Sequence, residues 1–248
     1  MLPREVWEAT GLLIPSGGGL AVAKANHAGR FLALVFEDGG RPLAFVKVAR
    51  DTIGAHALAV EKDALQAFGS RLPAPLIAPK VLDHAEGVLV LQPMEWQARA
   101  LPWRLPEEVA FALGVFFRDT RSNGPGTRGA AHGDFAPWNL LRTEGGWGLL
   151  DWEDFTTDAP PYFDLFHYFV QSNSELRRPT KQTILDGLRL KGWVGSAIAA
   201  YAAGAEVDAG ESEHFLREYL RISTARFRMM AAPRGARVRS ELSRRLER

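Results

Sequence analysis

The stretch AHGDFAPWNLL, residues 131–141, places a carboxylate between a glycine and a bulky aromatic, with an asparagine five positions after the carboxylate. Two short apolar segments follow, 139–142 and 148–151, and the glycine-rich turn between them predicts a β-hairpin. Paired strands lie about 5 Å apart. The open end of this hairpin is therefore expected to bring Asn139 and Asp151 together.

Asp134, Asn139 and Asp151 offer oxygen ligands, without the His or Cys ligands that zinc prefers. Oxygen ligands at a loop suit Mg²⁺, which keeps several waters and takes one or two protein ligands together with phosphate oxygens. The site is therefore expected to bind a phosphorylated ligand. Asp134 is then placed to orient a substrate hydroxyl and accept its proton, which is the role of the base in phosphoryl transfer.

The motif HGDFAPWNLL followed by LLDWE resembles the catalytic core of the aminoglycoside phosphotransferase and choline kinase family, whose fold is similar to that of protein kinases. That family has HGD-x4-N where protein kinases have HRD-x4-N, and an aspartate in a DWE-like motif where they have DFG. The resemblance implies that Asp134 is the catalytic base and that Asn139 and Asp151 hold Mg²⁺. It also implies that Lys47 contacts the phosphates of ATP, with Glu61 as its partner.

The nucleotide site is expected to extend to the adjacent glycines 17–19, predicted to follow a strand, and to the segment that follows the last strand of the N-terminal lobe. The glycines do not form a G-x-G-x-x-G motif, so their backbone contacts with phosphate are a weaker inference. The residues assigned to the nucleotide are Lys47, Glu61, Ser16, Gly17, Gly18, Gly19, Gln92 and Met94.

The elements around Lys47 and Glu61 support this pairing without the resemblance. A turn at residues 38–40 separates two apolar runs and predicts two antiparallel strands, the second ending at Lys47. The pattern from Ile53 to Phe68 is helical, and Glu61 falls within its apolar stripe. A carboxylate at that position is not expected to face bulk water.

The remaining elements predict an α+β, protein-kinase-like bilobal fold with a small antiparallel-sheet N-lobe and a mostly helical C-lobe that carries the catalytic-loop hairpin. An amphipathic helix is predicted within residues 105–120, and a buried helix within 162–171. The predicted limits are 1–91 for the nucleotide-binding lobe, 92–96 for a hinge, and 97–248 for the catalytic and substrate lobe.

Several polar residues near the motifs are expected to support the site rather than react. The resemblance assigns Asp164 to bracing the catalytic loop. His132 is interpreted as a structural hydrogen-bonding residue, and Glu153 as a brace or a metal ligand. Asp154 and Asp158 suit a cationic acceptor, but a solvated loop explains them equally well. Trp138 and the aromatic residues of segment 162–169 are predicted to pack in the core.

Composition excludes some classes of protein. The sequence has no cysteine, hence no disulfide, thiolate nucleophile or Cys-ligated zinc. The net charge of +1 argues against a global nucleic-acid footprint, and no apolar run approaches 18 residues, so no membrane partner and a cytoplasmic location are expected. The Arg-rich segment 234–248 could attract phosphate, but Glu241 and Glu247 interrupt it and favour a solvated helix.

The sequence thus predicts a kinase that phosphorylates a hydroxyl of a small molecule, of aminoglycoside, amino-alcohol or sugar type, with ATP and Mg²⁺. The alternative is a nucleotide-binding pseudokinase that acts as an interaction module. The sequence leaves the acceptor and the oligomeric state open.

Overall fold

The computed structural model describes residues 18–24, 30–122, 127–229 and 233–247. Strands and helices occur together, which confirms the predicted α+β class. The chain divides into two compact units, each of which consists of several separate stretches of sequence. The predicted lobe limits at residues 91 and 96 stay a prediction. Among the described residues, the first unit comprises those up to 71, with 78–96 and 150–154, and the second comprises those within 72–77 and 97–149 and those from 155 onward.

The first unit is built on a five-stranded antiparallel sheet in the order β1-β2-β3-β6-β5. The turn between β2 and β3 contains Gly39 and Gly40, both with positive φ, which explains why glycine is needed there. Alternate residues of the central strands, such as Val35 and Val46, are buried in an apolar core. The strands are β1 Gly19–Lys24, β2 Arg30–Phe36, β3 Pro42–Ala49, β5 Val81–Ala85 and β6 Val88–Leu91.

Helix α1, Thr52–Phe68, packs against β3. Asp51 caps its N-terminus by accepting a hydrogen bond from the Gly54 N–H at 2.7 Å. The predicted stripe is buried, and Glu61 within it is completely inaccessible to solvent. Strand β3 continues two residues beyond Lys47, the predicted end, so that Lys47 lies inside the paired region rather than at its edge.

The second unit contains the other helices and two small sheets. Strands β4, β9 and β8 form one sheet, in which β4 is parallel to β9, and β10 pairs with β7 in the other. The strands are β4 Leu76–Ile77, β7 Gly129–Ala131, β8 Leu140–Thr143, β9 Gly146–Leu149 and β10 Thr156–Ala159. The helices are α2 Glu107–Thr120, α3 Phe163–Leu176, α4 Lys181–Gly187, α5 Gly192–Ala205, α6 Ser212–Met229 and α7 Pro233–Leu246.

Two glycines allow helices α2 and α5 to cross in close contact. A Cβ atom at Gly114 would lie 2.3 Å from the carbonyl oxygen of Tyr201, and one at Gly204 would lie 2.2 Å from that of Phe111. These distances are shorter than any real Cβ contact, and the obstructing atoms belong to backbone. The crossing therefore requires glycine on both helices, and it fixes α2, which also packs against β7, the strand that leads into the catalytic loop.

The predicted hairpin is present, but its strands are displaced from the predicted 139–142 and 148–151 to β8 and β9. Gly146 begins β9 with a φ of 140°, and its backbone lies against Pro75. Asp151 has a φ of 66°, a left-handed conformation that ends the extended segment before it. The second strand of the hairpin therefore ends at Leu149, two residues before the predicted end at Asp151.

The C-terminal helix α7 differs from the solvated helix expected from its arginines. It packs against α6 and α3, and it buries Gly235, Arg239 and Leu242 on one face. Glu241, by contrast, pairs with Lys181 and Arg237 nearer the surface. Among the described residues, no helix combines the length and apolar character that a membrane crossing needs.

Candidate active site

The loop that carries Asp134 is held by a buried carboxylate on helix α3. Asp164 accepts hydrogen bonds from the backbone N–H groups of His132, at 2.7 Å, and of Gly133, at 3.0 Å. Gly133 has a φ of 84°, which a residue with a Cβ adopts only at a cost. The glycine before Asp134 is thus explained by backbone conformation. Asp164, to which the resemblance assigns a bracing role, holds the backbone of this turn.

Asp134 is itself held on both carboxylate oxygens. The Asn139 side-chain N–H donates to Oδ2 at 3.0 Å and to the Asp134 carbonyl at 2.9 Å. The His167 Nε2 lies 2.9 Å from Oδ1. A quarter of the Asp134 side chain remains exposed, whereas Asn139 and His167 are buried. The result is a carboxylate of fixed orientation with an accessible edge.

His132 has a structural position next to this carboxylate. Its ring is buried, and its Nδ1 accepts a hydrogen bond from the backbone N–H of Asp134 at 3.3 Å. The ring also lies edge-on to Phe135. These contacts fit the predicted supporting role.

Burial, together with a smaller contribution from the nearby charge of Asp134, raises the pKa of the Asp164 carboxyl to about 7. The N–H groups of His132 and Gly133 act in the opposite direction, because they stabilise the ionised form. Burial is the largest effect. Asp164 is consequently a carboxyl that titrates near neutrality inside the scaffold of the catalytic loop.

In the first unit, Lys47 lies between two carboxylates. Its Nζ donates to Glu61 Oε1 and Oε2, at 2.8 and 2.7 Å, and to Asp151 Oδ1 at 2.6 Å. These are as many bonds as an ammonium group has protons. Lys47 and Glu61 are buried, and Asp151 is one third exposed. The lysine and carboxylate assigned to the nucleotide therefore form a direct, buried ion pair.

The other residues assigned to the nucleotide are less constrained. Gly18 precedes β1, which begins at Gly19, and Ser16 and Gly17 lie outside the described residues. The backbone N–H of Gln92 donates to the Lys80 carbonyl at 2.8 Å. The side chain of Gln92 is exposed, and that of Met94 is half-buried.

The residues assigned to Mg²⁺ have suitable chemistry. Asn139 donates its two hydrogen bonds to Asp134 through its amide nitrogen, so its amide oxygen is turned away from Asp134, and Asp151 offers a partly exposed carboxylate. These are hard oxygen ligands of the kind Mg²⁺ takes, one or two at a time. Among the described residues there is no cluster of three or more His, Cys, Asp or Glu side chains suited to a metal. Asn139 and Asp151 belong to different units, and their predicted proximity stays a prediction.

Glu153 pairs with Arg30, a buried residue at the start of β2. This contact favours the interpretation of Glu153 as a brace. Asp154 is half-buried and belongs to the first unit, whereas Asp158 is exposed on β10 in the second unit. Trp138, which the sequence assigns to the core, is 44% exposed. The loop places its ring outward because its neighbours Pro137 and Asn139 take the buried positions.

Sequence interpretation missed His167, Tyr219 and Arg239. His167 lies three residues after Asp164, and this spacing places both on one face of a helix. This spacing is a usable sequence signal for His167, because an imidazole on the same helix face as a bracing carboxylate points toward the same loop. The aromatic residues around His167 favour a uniformly apolar core helix instead, so the spacing alone is easily overlooked.

A cavity in the second unit has a volume of about 630 Å³, and its lining includes no residue of the catalytic loop. It is bordered by the C-terminal end of α3, by α4 and by α7. Lys181 and Arg237 hold the Glu241 carboxylate there and lower its pKa to about 2. The basic side chains at its wall are Arg177, Lys181, Arg234, Arg237 and Arg245.

Comparison with known proteins agrees with this geometry. The model of the phosphotransferase enzyme family matches residues 56–219, well over half of the chain and including the whole catalytic loop. The chain belongs to this family. Membership identifies it as an ATP-dependent phosphotransferase that acts on an alcohol group. Comparison with curated protein sequences gave no match.

Solved structures show the same kinase-like fold at low sequence identity. The amicoumacin kinase hAmiN, solved with AMP-PNP, Ca²⁺ and Ami, is 12% identical and has a TM-score of 0.61, with 98% of this chain and 94% of that one covered. The macrolide 2′-phosphotransferase MphH from Brachybacterium faecium is 13% identical with a TM-score of 0.63, covering 96% of each chain. The gentamicin complex of APH(2″)-IIa is 13% identical with a TM-score of 0.55, covering 98% and 96%. These similarities confirm the predicted fold.

Proposed function

We propose that this phosphotransferase moves the γ-phosphoryl group of ATP to a hydroxyl of a small molecule, with Asp134 as the base. The observation that carries the proposal is the state of the Asp134 carboxylate, which is held on both oxygens and still partly exposed. A base fixed before the substrate arrives reduces the entropy that must be lost in reaching the reactive geometry. Positioning and charge neutralisation are the main tasks of a phosphotransferase.

The reaction is balanced by these groups. The acceptor hydroxyl gives its proton to Asp134, and its oxygen forms a bond to the γ-phosphorus as the bond to the β,γ-bridging oxygen breaks, so that ADP leaves. Lys47 binds phosphate oxygens of ATP and stays oriented by Glu61, which is too deeply buried to leave its side. In this assignment, the bond from Lys47 to the more exposed Asp151 is the one that exchanges when ATP binds.

We assign Mg²⁺ to the amide oxygen of Asn139 and the carboxylate of Asp151. The ion neutralises phosphate charge and orients the triphosphate when it is bound. Asn139 thereby has two tasks, because its amide nitrogen orients Asp134 while its oxygen is directed elsewhere. The amicoumacin kinase hAmiN was solved in complex with AMP-PNP, Ca²⁺ and Ami, which supports a divalent cation in this chain as well.

The acceptor that we propose is an aminoglycoside-, amino-alcohol- or sugar-like molecule. The solved structures named above are an amicoumacin kinase, a macrolide phosphotransferase and a gentamicin complex, which supports an acceptor of small-molecule size. The exposed carboxylate of Asp158 suits an acceptor that carries an amine. We place the enzyme in the cytoplasm, where ATP and Mg²⁺ are available.

The proposal is tested by ADP formation from ATP with a panel of aminoglycosides, amino alcohols, sugars and macrolides, each with Mg²⁺ and with EDTA. We expect one class of acceptor to stimulate ADP formation only when Mg²⁺ is present. The Asn139→Ala variant should bind ATP alone as the wild type does but show weaker Mg²⁺-dependent tightening in calorimetry. ATP binding without stimulation by any acceptor, or stimulation that persists in EDTA, contradicts the proposal.

A further inference from the structure

Four polar side chains connect the catalytic loop to the C-terminal helix. His167 Nε2 lies 2.9 Å from Asp134 Oδ1, and its Nδ1 lies 3.4 Å from the hydroxyl of Tyr219. The Arg239 guanidinium donates to the same hydroxyl at 2.7 Å. His167, Tyr219 and Arg239 are 2%, 0% and 0% exposed. We call Asp134, His167, Tyr219 and Arg239 the polar series.

The imidazole in the middle of the series has little freedom to turn. The ring of Phe163 stacks on it at a centroid distance of 6.3 Å, and the ring of Tyr219 meets it edge-on at 6.0 Å. His167 also belongs to α3, the helix from which Asp164 holds the backbone of the catalytic loop. One helix therefore supports both the backbone and the carboxylate of the loop.

The far end of the series is anchored by a buried cation. Arg239 Nε donates to Ser223 Oγ at 3.0 Å, and another nitrogen of its guanidinium donates to the Gly235 carbonyl at 3.1 Å. The guanidinium also lies over the Tyr219 ring, 5.7 Å from its centroid. A buried charge is expensive unless it is hydrogen-bonded, so this arrangement requires Tyr219 to remain in place.

The hydrogen bonds of the polar series can all be donated in one direction, from Arg239 through Tyr219 and His167 to Asp134. A guanidinium only donates, so the Tyr219 oxygen accepts from Arg239 and its proton is directed to His167 Nδ1. Burial raises the pKa of the Tyr219 hydroxyl, which keeps that proton in place. His167 then carries its own proton on Nε2 and donates it to Asp134. A neutral imidazole satisfies each of these contacts, and no second buried cation is needed beside Arg239.

We propose that His167 is a positioning residue for the base Asp134, and that Tyr219 and Arg239 fix its tautomer and orientation. The proposal rests on the proposed function, since it assigns a partner to the base of that reaction. With Asn139 on Oδ2 and His167 on Oδ1, the carboxylate can neither rotate nor shift. Helix α7 thereby becomes part of the machinery of the active site through Arg239, rather than a binding tail.

Steady-state kinetics of variants on the acceptor identified by the panel tests the proposal. His167→Leu should lower kcat by about 10- to 100-fold with little change in the KM for ATP, since a base released from its partner is misplaced while the nucleotide site is intact. His167→Gln carries an N–H at the same distance along its side chain and should restore most of the lost kcat. Tyr219→Phe should show a smaller loss than His167→Leu.

A matched control lies on the same helix. Asn173 is also buried and hydrogen-bonded, to the Pro179 carbonyl at 2.6 Å, but it does not contact Asp134. Asn173→Ala should lower the unfolding temperature without changing kcat for the folded enzyme. Equal losses of kcat in His167→Leu and Asn173→Ala, or a wild-type kcat in His167→Leu, would overturn the proposal.

A measurement without turnover separates this proposal from the proposed function. In ¹⁵N NMR of the imidazole, the His167 signals should report protonation at Nε2 alone, with Asp134→Ala shifting the Nε2 signal and Tyr219→Phe shifting the Nδ1 signal. Both nitrogens protonated, or signals that respond to neither variant, overturn the positioning role. If no acceptor is phosphorylated while the NMR result holds, the proposed function fails and the contact between His167 and Asp134 stands.

Discussion

Replacement of Lys47 by methionine is predicted to destabilise the fold as well as the nucleotide site. Lys47 and Glu61 are 4% and 0% exposed, so Lys47→Met leaves an ionised carboxylate in the interior without its partner. Removing one member of a buried ion pair costs about 3–5 kcal/mol. Against a typical free energy of unfolding of about 5–15 kcal/mol, this is a large fraction of the total.

The double variant Lys47→Met with Glu61→Met gives the opposite expectation. A buried pair replaced by apolar side chains of similar volume is often neutral or stabilising, because the desolvation of both charges is relieved. Only the bond from Lys47 to Asp151 is then lost, and Asp151 is partly exposed and retains contact with water. We expect the free energy of unfolding of the double variant to lie within about 1 kcal/mol of the wild-type value. That of Glu61→Met alone should lie between those of Lys47→Met and the double variant, because Asp151 still balances the charge of Lys47.

Urea unfolding at about pH 7.5, with slopes compared between variants, measures these free energies. Lys62→Met is the matched control on the same helix, because its pair with Asp63 at 3.0 Å is more exposed and should contribute less than about 1 kcal/mol. The reasoning fails if Lys47→Met costs no more than Lys62→Met. It also fails if the two single costs simply add in the double variant, since residues in contact should not be additive.

Two other predictions concern packing and pH. Gly204→Ala should lower the free energy of unfolding by about 3 kcal/mol or more, because its Cβ would lie 2.2 Å from the Phe111 carbonyl oxygen. Gly19→Ala, whose Cβ would have no neighbour within 4 Å, should change the free energy of unfolding by under about 0.5 kcal/mol. Thermal and urea unfolding compare the two variants, and a mild effect at Gly204 would contradict the close crossing of α2 and α5. The pKa of Asp164 is raised from 3.8 to about 7, so the folded state binds its proton more tightly, and the free energy of unfolding falls as pH rises from the lower value to the higher one. Between about pH 4 and pH 8 the free energy of unfolding of the wild type should fall by up to about 4 kcal/mol relative to Asp164→Asn, and parallel pH profiles for the two proteins would show that Asp164 titrates elsewhere.

The sequence predicts structure correctly where a regular apolar pattern or a glycine that requires positive φ determines the local conformation. Helix α1 and the burial of Glu61 follow from the 3.6-residue period, and the hairpin of β2 and β3 follows from glycines that need positive φ. The catalytic loop can be recognised in the sequence because the spacing of Gly133, Asp134 and Asn139 is specific to few other structures. In each case the chemistry of the residue and the conformation it adopts agree.

The errors arise where tertiary contacts override local patterns. Strand β9 ends before Asp151 because the left-handed conformation of that residue cannot continue a strand, and no apolar pattern reports this. The acidic residues that interrupt the Arg-rich segment favour a solvated helix, yet Tyr219, Ser223 and Gly235 supply the hydrogen bonds that allow Arg239 to be buried. Such partners lie 4 to 20 residues away in sequence and are visible only after the helices pack.

The most direct test of the central claim is transfer of label from [γ-³²P]ATP to the acceptor by wild type and by Asp134→Ala, with ATP binding measured for both. A positioned base contributes about 10²- to 10⁴-fold. We predict that the variant binds ATP as the wild type does while labelling of the acceptor falls at least about 100-fold. Labelling at the wild-type rate in Asp134→Ala would remove this carboxylate from the mechanism and contradict the account.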